Sequence, residues 1–167
     1  MNAITQALLI GLLSISPALA SPDKAAPAKP GDIVVTSLAE QEVEVKLPDG
    51  KTEKKRQPVL TAIPGAEVIY TTRFTNRGKR PAGNVVVTNP VPEHTVFVGG
   101  SAFGENTSMT YSLDGINFNT PDKLKVKTPD GKERTALPSE YTAIRWAYRG
   151  ELAPGKTGEV GFRVRIK

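Results

Sequence analysis

Three observations predict an all-β chain folded as an antiparallel sandwich. Apolar and polar residues alternate with a period of two in short runs, as over Ile144, Trp146 and Tyr148 and over Val160, Phe162, Val164 and Ile166. The runs are punctuated by Pro-Gly and Asp-Gly turn signals, among them Pro64-Gly65, Pro154-Gly155 and Asp114-Gly115. Beyond the first twenty residues no window holds the long 3.6-residue period of a helix. Short strands, regular turns and no covering helices leave a two-layer sandwich as the architecture.

The 167 residues divide in order. Met1 to Ala20 carry no charged side chain, and residues 7–15 form an apolar run too short to cross a bilayer. Ala18-Leu19-Ala20 before Ser21 has the small-x-small pattern of a cleavage site, so residues 1–20 read as a signal peptide. The protein is expected to be exported, periplasmic or secreted, with no membrane-spanning segment after cleavage. Residues 21–31, rich in Pro, Ala and Lys, read as an extended tether with too little apolar surface to fold.

Residues 32–167 are expected to form one domain, opened by a hairpin over 32–62. Val43, Val45 and Leu47 alternate with Glu44 and Lys46, and Pro48-Asp49-Gly50-Lys51 supplies the turn. Strand periodicity follows at Val68, Tyr70, Thr72 and Phe74, then at Val85 and Val87. Thr128-Pro129-Asp130-Gly131-Lys132 repeats the earlier Pro-Asp-Gly-Lys, which reads as two hairpin turns sharing one chemistry. Trp146 is expected at the centre of the sandwich with its N–H on a backbone carbonyl, and Tyr141 in a tyrosine corner at the entry to that strand.

Composition removes most chemistries. With no cysteine the fold has no disulfide, thiolate zinc site or iron–sulfur cluster. A single histidine, His94, rules out a multi-histidine metal site within one chain. No G-x-S-x-G elbow accompanies it, and Gly99 to Gly104 lacks the spacing of a phosphate loop. Asp114 to Asn119 holds one carboxylate, which suits a hairpin turn better than a calcium loop. We expect no catalysis and no cofactor.

The net charge of +5 comes from basic residues interleaved with acids; the densest runs are Lys54-Lys55-Arg56 and Arg77 to Arg80. That pattern is not a nucleic-acid interface. Alternation places Arg163, Arg165 and Lys167 on one face of the last strand, and Arg145 joins them if its strand pairs there. These four residues are the candidate patch for a polyanion or an acidic partner.

A longer pattern starts at Ile63. Pro64-Gly65-Ala66-Glu67-Val68-Ile69-Tyr70-Thr71 leads to Asn76-Arg77-Gly78, then to Ala82-Gly83-Asn84-Val85 and Pro90-Val91-Pro92. Thr95 to Ala102, Tyr111 to Gly115 and Leu152-Ala153-Pro154-Gly155 follow in the same order. This succession resembles the DUF11 (conserved repeat) family of immunoglobulin-like modules of bacterial and archaeal envelope and surface proteins. It covers about two thirds of the chain, and Asn89 stands where family members usually carry Asp. The resemblance implies an immunoglobulin-like sandwich with a structural or adhesive role, whose partner is an envelope protein or a surface polysaccharide. A polyanion- or carbohydrate-binding module acting through the last strand is the alternative.

Overall fold

A computed structural model describes residues 32–61 and 63–167. The signal peptide and tether expected over 1–31 lie outside the described residues. Thirteen strands form in chain order: β1 Ile33–Lys46, β2 Thr52–Pro58, β3 Glu67–Asn76, β4 Ala82–Gly83, β5 Val86–Pro90, β6 Thr95–Phe97, β7 Phe103–Gly104, β8 Thr107–Ser112, β9 Lys125–Lys127, β10 Glu133–Thr135, β11 Ala143–Tyr148, β12 Glu151–Leu152 and β13 Thr157–Ile166. The only helical pieces described are two single 3-10 turns, Pro121–Lys123 and Pro138–Glu140.

The larger sheet has the order β2-β1-β3-β13-β6, with β7 also pairing β13, and every pairing is antiparallel. The smaller sheet is β5-β11-β8. The two pack face to face as an antiparallel β-sandwich without a disulfide. Two short ribbons, β4 with β12 and β9 with β10, complete it.

Period-two alternation builds the core. Val68, Phe74, Val160, Phe162 and Val164 point inward from β3 and β13 and meet Ile144 and Trp146 of β11. Trp146 is almost fully buried, with its ring 6.1 Å from that of Phe162. Its indole N–H has no hydrogen-bond partner among the described residues, contrary to the expected carbonyl. The ring is surrounded by apolar side chains, so its large apolar area decides its position. Tyr141 likewise differs from a tyrosine corner. Among the described residues its hydroxyl makes no hydrogen bond; its ring packs 4.9 Å from that of Tyr111 and 5.9 Å from that of Phe97.

The turns form as read. Pro64-Gly65 and Pro154-Gly155 each close on a hydrogen bond across the turn, Ala66 N–H to Ile63 C=O and Lys156 N–H to Ala153 C=O. The repeated Pro-Asp-Gly-Lys segments join β1 to β2 and β9 to β10, with Gly50 and Gly131 at φ +82° and +81°. Asp114-Gly115 reverses the chain after β8, and Tyr111 pairs with Asn119 on the return.

The N-terminal hairpin both joins the sandwich and leaves it. β1 pairs with β3 from Ile33 to Glu40, then with β2 from Glu40 to Lys46 on its other side. One 14-residue strand thus serves first as a sheet member and then as half of a two-stranded ribbon.

Two residues pin the frame. Asn76 is fully buried; its Nδ2 donates to the carbonyls of Arg80 and Leu152 at 2.8 and 2.7 Å, and its Oδ1 accepts from Gly78 N–H. Gly161 lets the Phe103 ring lie across β13. A Cβ there would overlap that ring and come within 2.5 Å of the Tyr70 carbonyl oxygen. Asn76→Ala leaves the buried Leu152 carbonyl and two part-buried backbone groups, Arg80 C=O and Gly78 N–H, without their partner and should cost about 2–3 kcal/mol. Gly161→Ala should cost at least about 2 kcal/mol through overlap with backbone. Urea unfolding followed through the single buried Trp146 measures both, and a loss under about 0.5 kcal/mol would refute either assignment.

Candidate functional site

The outer face of β3 and β13 carries the predicted arginines. Register puts Arg163 beside Ile69 and Arg165 beside Glu67, so both leave the sheet on the side away from the core. The expectation of a shared face holds for these two. Each, however, has a carboxylate. Arg163 Nη2 donates to Glu42 Oε1 at 2.6 Å, and Arg165 Nη2 donates to Glu67 Oε1 at 2.8 Å. Arg73 donates to Glu159 at 2.8 Å on the same face. Arg56 stands 4.0 Å from Glu42, with its guanidinium carbon 6.0 Å from the centre of the Phe103 ring. The result is a mixed-charge face rather than a cationic patch.

Arg145 does not join them. Its strand lies at the centre of the smaller sheet between β5 and β8, so its side chain faces the opposite side of the molecule. There its guanidinium carbon sits 3.7 Å over the Phe118 ring, and its Nε donates to Thr88 Oγ1 at 3.1 Å. Lys167 follows the end of β13, with its backbone N–H on the His94 carbonyl. The four predicted residues are therefore one pair, one neighbour at the strand end and one residue on the far sheet.

Sequence reading missed the contribution of the N-terminal hairpin. Glu42 and Arg56 reach back over β3 and β13, and beneath them Ile69 and Thr71 are 1% and 2% exposed on what alternation marks as the outer face. The signal was present in Val68-Ile69-Tyr70, an unbroken apolar run that marks a strand buried on both sides. Thr71 Oγ1 has no hydrogen-bond partner among the described residues.

Electrostatics follow from the pairing. The Arg163 hydrogen bond holds the Glu42 carboxyl below its ordinary value, with added attraction from Lys54 and Arg56. Hydrogen bonds from Asn117, Ile116 and Ser112 within its turn hold the Asp114 carboxyl well below its ordinary value. Those donors use its carboxylate oxygens locally. Among the described residues no group of three or more His, Cys, Asp or Glu side chains converges on a point that would hold a metal. A cleft of about 370 Å³ lies between Glu42, Glu44, Lys54, Glu67 and Arg163. Two of its carboxylates, Glu42 and Glu67, are tied to arginines.

The other hollows lie at the seam between the sheets. The smaller sheet has no strand beyond β5, so the inward face of β1 is left uncovered. Two connected depressions of about 260 and 180 Å³ run there and share Tyr70 and Pro92. The larger is lined by Ala39, Val59, Val68 and Ile166, with His94 at a positive φ beside them. Asn89 spans the floor, its Nδ2 donating to Thr72 Oγ1 at 2.8 Å. What this region offers is apolar surface and backbone, which suit a protein partner better than a reaction.

The chain matches no protein-family model, and comparison with curated proteins and with solved structures finds no match.

Arg163→Gln should raise the pH at which Glu42 titrates, read from its side-chain carboxyl carbon by NMR; an unmoved titration assigns its low value to another group. A carboxyl with a depressed folded pKa stabilises above its unfolded pKa and loses that contribution as pH falls through the folded one. The stability difference between wild type and Arg163→Gln should therefore be present at neutral pH and vanish in acid below the ordinary carboxylate range.

Proposed function

We propose that this chain is a non-catalytic β-sandwich module of the bacterial cell envelope, exported by the leader expected over residues 1–20, and that it works by binding protein. The observation that carries the reading is a band of exposed apolar residues on a chain otherwise rich in surface charge. Val34 and Leu38 on the outer face of β1, Val35 on its inward face, and Leu60 and Ile63 after β2 are all exposed. Such a band marks a contact surface in a soluble domain. The resemblance to the DUF11 modules supports the same reading, because it implies a structural role in the envelope. Polyanion binding through Arg163 and Arg165 would first have to release Glu42 and Glu67, and nothing at that face supplies the energy.

Crosslinking in intact cells, followed by mass spectrometry, tests the proposal. One specific envelope protein, or the chain itself, should be recovered, with crosslinked positions concentrated between residues 33 and 63. Recovery of abundant bystanders alone, joined at positions spread over the whole surface, would overturn it.

A further inference from the structure

A sheet edge is a row of unpaired N–H and C=O groups, and folded chains blunt such edges to avoid unwanted pairing. Most edges of this protein are blunted, each by a different device. β2 carries Glu53, Lys54, Lys55 and Arg56 and ends in Pro58. β5 ends in Pro90, which has no N–H to offer. β6 and β7 are three and two residues long. β8 is bridged at Tyr111 by the returning Asn119.

The first half of β1 has none of these devices. From Ile33 to Leu38 it pairs with β3 on one side, and on the other side the β2 arm is taken up only from Ala39, whose carbonyl accepts the Val59 N–H. The sequence Ile-Val-Val-Thr-Ser-Leu-Ala contains no charge, no proline and no glycine. Val34, Val35 and Leu38 are 44%, 54% and 46% exposed. Ladder parity shows which groups are on offer. Val59 N–H donates to the Ala39 carbonyl, so odd-numbered residues turn their backbone groups to the β2 side. Val35 and Ser37 therefore direct N–H and C=O into the open edge. Among the described residues no strand pairs with this side of residues 33–38.

We propose that this edge pairs antiparallel with the same edge of a second copy of the chain, about a two-fold axis at Val35 or Thr36. The inference rests on the protein-binding reading above and names the partner. Three features select a second copy. A strand without charge meets its own image with no like charges opposed, whereas β2 would set its Lys-Lys-Arg run against an identical one. Backbone parity is self-complementary about either centre, and the pairing covers 33–37 about Val35 or 34–38 about Thr36, clear of Ala39, whose carbonyl is taken by Val59. A two-fold pairing also closes, satisfying both open edges at once and leaving neither as a template for a third chain. Because each copy carries +5, mutual repulsion opposes the pairing and salt screens it. Self-association should thus tighten with ionic strength, opposite in sign to polyanion binding.

Sedimentation velocity of the purified protein over a hundredfold concentration range, at low and at 0.5 M salt, is the first test. A monomer–dimer equilibrium that strengthens with salt is expected. Val35→Lys places a cation directly opposite its own image about Val35, or two residues along from it about Thr36, and should weaken association at least tenfold. At concentrations where wild type is monomeric its urea midpoint should stay unchanged, since the side chain is more than half exposed. The absence of cysteine supplies the second test, because a single introduced thiol reports one contact. Val35→Cys or Thr36→Cys should form a disulfide-linked dimer under mild oxidant, and the exposed Lys125→Cys should not. A monomer under every condition, or equal crosslinking at Lys125→Cys, overturns self-pairing. The protein-binding reading fails separately, when crosslinking in cells recovers no specific protein at residues 33–63.

Discussion

Everything in this fold is organised by the pairing of β3 with β13. Nine residue pairs, from Thr157 opposite Thr75 to Arg165 opposite Glu67, join segments about ninety positions apart in sequence. The inward side of this two-strand unit carries Val68, Phe74, Val160, Phe162 and Val164, the larger sheet's share of the core. The outward side carries Ile69, Thr71 and the glycine over which Phe103 lies. Strands covered on both faces tolerate little change, because any added volume meets packed atoms. That is why Gly158, opposite Phe74, and Gly161, opposite Thr71, are both free of side chains.

The mixed-charge outer face is a second consequence of that pairing. Once β13 lies beside β3, Arg163 and Arg165 stand over a surface that also receives Glu67 and, from the N-terminal hairpin, Glu42. Partly covered arginines need partners, since water no longer solvates them fully. The hairpin supplies one, so the same residues that look like an anion site along one strand serve as the fastening for another. The apolar seam lies on the opposite side of the larger sheet, where the three-stranded sheet is too narrow to cover β1.

Local chemistry made much of this legible in the sequence. The alternation over Val160 to Lys167 and over Ile144 to Tyr148 gave the inward faces of β13 and β11, and the Pro-Asp-Gly-Lys pair gave two turns of one kind. The candidate site was legible only in part. Which face Arg163 and Arg165 occupy follows from a period of two, but their partners lie 121 and 98 residues away, and periodicity carries no information about such separations. Arg145 was assignable to a face of its own strand and not to a sheet, because strand order depends on connections between layers. The unpaired Trp146 N–H was hidden for a similar reason: burial of a ring is predictable from pattern, and the groups that surround its edge are not.

The hydrogen bonds at Asn76 carry a consequence for how the chain comes to be folded. This side chain at the end of β3 is satisfied by the Leu152 carbonyl, and its own backbone groups by Lys156 N-terminal to β13 and by Gly155. During synthesis from the N-terminus, β3 appears long before any of these. Until residues 152–166 emerge, β3 lacks its central neighbour, and Leu152, Val160, Phe162 and Val164 are missing from the core. Closure of the sandwich therefore waits for the last strand, and until then the emerging chain has no completed sheet to fold onto. A sandwich whose second long strand is completed only by its thirteenth carries its own delay.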